Sequence, residues 1–151
     1  MRAVLFACAA SLLVTQALGA GLPKRAKPFS AADVTAIYAG NTIEWGHGAG
    51  FLAADGKLTA YWTKPGEEGY AAGTWTVSGN EFCYSASWVN AAKRFDESFC
   101  WKLYHVGKKT FYQETRATDG RTLTVTAQGP RIVAGDKATT QAEAMKAKIG
   151  Q

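Results

Sequence analysis

The chain has 151 residues, of which 47% are hydrophobic, with 17 basic and 12 acidic side chains. That length is one domain's worth and is enough for a real core. The bases lie singly or in pairs such as Lys93-Arg94 and Lys108-Lys109 among acids, which argues against a nucleic-acid partner, since that needs a basic face.

The first twenty residues carry one base, Arg2, followed by an uncharged run from Ala3 to Ala20 and then the basic cluster Lys24, Arg25, Lys27. This is the layout of a secretory signal peptide, with a cut expected after Gly19 or Ala20. The apolar stretch is short for crossing about 30 Å of hydrocarbon, so no membrane span is expected after cleavage. Leu5-Phe6-Ala7-Cys8 only loosely imitates a lipidation box, and Cys8 is expected to leave with the leader. The mature chain would then hold two cysteines and a net charge of about +4, from sixteen bases against twelve acids.

Residues 21–29 are basic and proline-containing and read as an extended lead-in. Ser30 and Asp33 stand at capping-box spacing, Val34, Ile37 and Tyr38 share a helical face, and Gly40 supplies a stop. A short N-terminal helix is predicted. After Asn41 the periodicity becomes two, with turn signals at Asp55-Gly56, Ser78-Gly79-Asn80, Val106-Gly107-Lys108 and Asp119-Gly120. The expectation is a mainly β domain over 30–130, an antiparallel meander of about 7–8 strands forming a small lipocalin-like barrel or bent sheet that hides its edges. Trp62, Trp75, Trp88 and Trp101 are evenly spaced, but their flanks do not match, so they mark the rhythm of a meander rather than a repeat. Residues 131–151 read as a C-terminal loop and a short helix, with Thr140 and Glu143 at capping-box spacing and sparse apolar positions at Ala142, Met145 and Ile149.

The remaining cysteines, Cys83 and Cys100, each follow a phenylalanine and precede an aromatic residue. Pairing their strands antiparallel with Cys83 opposite Cys100 also sets Phe82 against Trp101, Tyr84 against Phe99 and Glu81 against Lys102, all favourable cross-strand pairs. A slip by one residue would set cysteines against aromatics. In an oxidising compartment such a pair closes, so a structural disulfide is predicted rather than a redox or zinc role. The segment SWVNAAKRFDE between them is read as a broad loop.

No GxSxG, HExxH, CxxC, Walker or dinucleotide fingerprint occurs, so neither a cofactor nor a metal is expected. Glu44 and His47, in the glycine-rich NTIEWGHGAGF, are the one pair suggesting acid–base chemistry or, with His105, a metal site. Glycines there also suit a sharply curled strand. Trp45, Phe51, Tyr61, Trp62, Tyr70, Trp75 and Trp88 are candidates to line an apolar cup inside the barrel.

The ordered set AIYAGNTIEWG (36–46), F-x-x-x-D-G from Phe51 to Gly56, Gly73-Thr74-Trp75 and the Phe-Cys-Tyr and Cys-Trp pieces resembles a family of uncharacterised exported proteins of rhizobia and related alphaproteobacteria, classed as a domain of unknown function. The resemblance implies a signal-bearing bacterial protein and carries no site residues. The leading expectation is a periplasmic or secreted non-enzymatic binding protein, taking a small apolar ligand or an envelope protein or glycan partner. The alternatives are a hydrolase-like enzyme using Glu44 and His47, and a structural envelope protein.

Overall fold

In the computed structural model of the chain, residues 22–115, 122–125 and 130–150 are described. The leader read over residues 1–20 and the Asp119-Gly120 turn lie outside them. The elements run β1 (Lys27–Pro28), α1 (Ala31–Tyr38), β2 (Asn41–Trp45), β3 (Gly48–Leu52), β4 (Lys57–Trp62), β5 (Gly69–Ser78), β6 (Glu81–Asn90), β7 (Arg94–Val106), β8 (Lys109–Thr115), β9 (Thr122–Val125), β10 (Arg131–Ala134) and α2 (Thr139–Ile149). β2 to β9 form an unbroken antiparallel meander in one ten-stranded sheet, and β10 returns to the free edge of β2. The meander is curled into a half-barrel. Arg131 on β10 and Phe95 on β7 line one cavity, although six strand spacings separate them along the sheet. On a flat sheet that separation would be about 29 Å.

Local chemistry explains the elements. The Ser30 hydroxyl accepts from the Asp33 amide while the Asp33 carboxylate accepts from the Ser30 amide, the reciprocal cap expected at this spacing. Gly56 has φ 84° in the turn between β3 and β4, where the Asp55 carboxylate also accepts from the Lys57 amide. The lead-in adds a short strand: β1 pairs with β7 at Tyr104 and His105, beyond the point where β6 begins. It thereby covers backbone that β6 leaves unpaired.

Alternation then decides which side chains face inward. Ile43, Leu52, Leu58, Ala60, Ala71, Trp75, Phe82, Ala86 and Leu103 form one buried cluster with Val34 and Tyr38 of α1. α1 therefore packs inside the curl, at the end where Tyr38 meets Phe82 with ring centres 4.3 Å apart and Trp101 Nε1 donates to Tyr38 Oη at 2.8 Å. On the outward face Thr42 Oγ1 donates to the Gly135 carbonyl and accepts from the Lys137 amide. These bonds anchor the segment that leads α2 across β4 and β5.

The clasp between β6 and β7 has the expected register. Cys83 faces Cys100 and the two form a disulfide; Phe82 faces Trp101, Tyr84 faces Phe99 and Glu81 faces Lys102.

Three local expectations change. The broad loop between the cysteines is instead a continuation of both strands, with Trp88 opposite Phe95 and Val89 opposite Arg94. The turn is tight because Asn90 Oδ1 accepts from the Ala92 and Lys93 amides. Residues 131–134, expected as loop, form β10, because the edge of β2 offers unpaired backbone to Ile132 and Val133. The Thr140–Glu143 box is absent: α2 starts at Thr139 with no side-chain cap at Ala138, and Asp136 Oδ1 takes the Ala138 and Thr139 amides instead.

Candidate functional site

At the end of the half-barrel away from α1 no described residue fills the inward face, leaving a cavity of about 900 Å³. This lies toward the upper end of the range typical of small-molecule sites. Its wall is aromatic: Trp45 and Trp62 stand on one side, Tyr84, Trp88 and Phe95 on the other, and Phe99 and Trp101 lie deeper.

Each ring is delivered by strand parity. On β7 the inward series reads Phe95, Glu97, Phe99, Trp101, Leu103, and on β6 it reads Phe82, Tyr84, Ala86, Trp88. β3 contributes bare backbone. A Cβ on Gly50 would lie 2.8 Å from Trp45 Cη2 and 3.2 Å from Leu58 Cδ1, so glycine there makes room for the indole of Trp45. Next in the same cross-strand row come Ala60 and Ala71. This small-residue floor separates the two aromatic walls.

Polar groups punctuate the wall. Glu97 Oε2 accepts from Tyr84 Oη at 3.0 Å and from Trp88 Nε1 at 3.1 Å. A carboxylate on the inward face needs such donors to offset its desolvation. Arg131 Nε lies 2.9 Å from Glu44 Oε2 at the rim, and Lys93 Nζ sits 5.0 Å from the centre of the Phe95 ring at the hairpin tip. Phe95 is 40% exposed, which places it at the mouth.

Of the residues expected to line a cup, Trp45, Trp62 and Trp88 come together here. Trp75 lies in the core instead, stacked on Phe82 with its Nε1 donating to the Ala53 carbonyl at 2.9 Å. Phe51, Tyr61 and Tyr70 project from the opposite face, in cross-strand rows with Thr42 and Glu44 respectively. Sequence reasoning missed Glu97, Phe95, Tyr84, Phe99 and Trp101 as wall residues. The parity of Phe99 and Trp101, carried back along β7, would have found the first two.

Glu44 and His47 share a shallow polar depression with Tyr61, Thr63 and Arg131. The Glu44 carboxylate is engaged by Arg131, and the His47 ring sits edge-on to Trp62 with centres 5.7 Å apart. His105 lies at the far end of the sheet beside Phe29, so the two histidines do not converge. Glu81, Cys83 and Cys100 are close enough to share an ion, but both sulfurs are consumed in the disulfide.

Among the described residues no helix is long and apolar enough to cross a membrane. Comparison with curated proteins finds no match, and neither does comparison with solved structures. A family model does match, over residues 3–130. The aromatic half-barrel with its cysteine clasp thus belongs to the family described as "Protein of unknown function (DUF995)".

Proposed function

We propose that the chain is an exported bacterial binding protein, without catalytic activity of its own, that takes a small and largely apolar ligand into the aromatic cup. The observation that carries this reading is the cavity of about 900 Å³ walled by Trp45, Trp62, Trp88 and Phe95. A filled barrel would serve structure alone, whereas concave aromatic surface left open at one end is what a ligand buries. Export to the periplasm or beyond is supported by the leader pattern of the first twenty residues and by the Cys83–Cys100 disulfide, which suits an oxidising compartment. An alphaproteobacterial source rests on the resemblance of the motifs.

Hydrolysis through Glu44 and His47 is the weaker reading. A general base needs a free carboxylate or imidazole aimed at the substrate, and Glu44 is held by Arg131.

The test is titration of the purified protein with the neutral apolar dye N-phenyl-1-naphthylamine. Saturable fluorescence at one dye per chain is expected, and Trp88→Ala should weaken it at least about tenfold, the equivalent of about 1.4 kcal/mol of lost contact. Absence of saturable binding would overturn the reading. His47→Ala should leave dye binding in place.

A further inference from the structure

Among the described residues the cup carries one carboxylate on its inner wall, and that group narrows the class of ligand, a narrowing that rests on the binding function proposed above. Most charges around the cavity are committed at its rim. Arg131 pairs with Glu44 at 2.9 Å, Glu67 pairs with Lys64 at 2.5 Å, and Lys93 caps the outer edge of Phe95.

Glu97 differs in position and in partners. It rises from the inward row of β7 between Phe95 and Phe99. Its two hydrogen bonds come from neutral donors, Tyr84 Oη and Trp88 Nε1, and both end on Oε2. Among the described residues no basic side chain lies within ion-pair distance of it. Neutral donors stabilise the carboxylate without cancelling its charge, and Oε1 keeps its acceptor capacity. Trp88 and Tyr84 meet this charge through the N–H and O–H at their ring edges, and the aromatic wall around them offers ring faces, which attract cations by their quadrupoles. Carboxylate and rings therefore favour the same sign of ligand charge. An anionic headgroup inside the cup would face Glu97, and among the described residues the nearest cations are paired or at the mouth.

We propose that the cup selects an organic cation, an apolar body carrying one ammonium group, whose charge settles at Glu97 against Trp88 and Tyr84 while the apolar body lies along Trp45 and Trp62. Recognition then has two parts, area from the tryptophans and sign from Glu97.

The experiment displaces N-phenyl-1-naphthylamine from the purified protein with decyltrimethylammonium, decanol and decanoate, each below its micellar range. The cation should displace the dye at a concentration at least about tenfold below decanol, a difference of about 1.4 kcal/mol, and decanoate should be weakest. Glu97→Gln keeps an oxygen acceptor for Tyr84 and Trp88, so it is expected to fold, and the preference for cation over decanol should shrink to within about twofold. Decanol or decanoate binding as tightly as the cation would overturn the charge inference while leaving the binding function standing. Failure of all three probes and of the dye would overturn the binding function itself. The three-probe comparison on the unaltered protein decides the matter whether or not Glu97→Gln folds.

Discussion

The two ends of the inward face are built from the same strands and the same kinds of side chain, yet one is a core and the other a cup. At the first end α1 lies inside the curl, so that Tyr38 and Val34 fill the space between Leu52, Trp75, Phe82 and Leu103. At the second end no element lies over Trp45, Trp62 and Trp88 among the described residues, and about 900 Å³ stays open. Trp101 stands at the boundary, bonded through its Nε1 to Tyr38 on one side and lining the cavity on the other. Aromatic content therefore does not separate core from cup in this chain; the reach of one eight-residue helix does.

The largest contrast is expected between Phe82→Ala and Phe95→Ala. Phe82 has no exposed surface and touches the rings of Tyr38, Trp75 and Trp101, so its truncation should cost about 3–5 kcal/mol in urea unfolding. Phe95 at the mouth should cost within about 0.5–1 kcal/mol while weakening dye binding. Equal losses of stability would erase the distinction between the ends.

The disulfide comes next. It ties β6 to β7, the two strands that supply rings to both ends, and closes a sequence separation of 17 residues. Replacing both cysteines with serine should cost about 3 kcal/mol by loss of the chain-entropy constraint, measured by urea unfolding against the oxidised protein.

Gly50→Ala tests the floor of the open end, where it borders the core. The new methyl would meet Trp45 Cη2 at 2.8 Å and Leu58 Cδ1 at 3.2 Å. A loss of about 1–3 kcal/mol from overpacking is expected, together with weaker dye binding as Trp45 is displaced from the wall.

The smallest effect concerns acid. The Ser30 hydroxyl and amide hold the Asp33 carboxyl below its ordinary range. At Asp136 burial pushes the carboxyl up, but the hydrogen bonds from Thr139 and Ala138 outweigh it and the group is also lowered. For a carboxyl lowered on folding, the stabilisation is complete above the unfolded value of about 3.9 and is lost as pH falls through the folded value. The melting temperature should therefore drop as pH falls below about 4, and Asp33→Asn with Asp136→Asn should flatten that drop. An unchanged slope would show that neither cap contributes to it.

Strand pairing is readable where two constraints coincide. Cysteines, aromatics and one acid–base pair all favour a single register for β6 and β7, and that register is the one found. The assignment of faces is harder on β3 and β4. There the inward positions of β3 near the cup are Gly48 and Gly50, vacated for the rings of Trp45 and Trp62, so bulk alone points to Phe51 as the inward residue. It faces the other way, beside Thr42 and Thr59. Glu97 is hidden for a different reason. Charged residues around Lys93 and Arg94 suggest a loop, although Trp88, Phe95, Glu97 and Phe99 keep the parity of a strand to within a four-residue turn. The return of β10 to β2 depends on the two edges of the sheet coming round toward each other, and no local pattern encodes that.

Ligand entry at the open end, and not at the plugged end, is directly observable. The chain's 5 tryptophans report on both ends through their indole N–H resonances in a two-dimensional nitrogen–proton NMR titration with decyltrimethylammonium. The signals of Trp45, Trp62 and Trp88 should move together and saturate, with Trp88 shifting most because its N–H donates to Glu97, while Trp75, bound to the Ala53 carbonyl inside the core, stays in place. Saturable movement of Trp75 with the other three silent would place the ligand at the wrong end and contradict the cup.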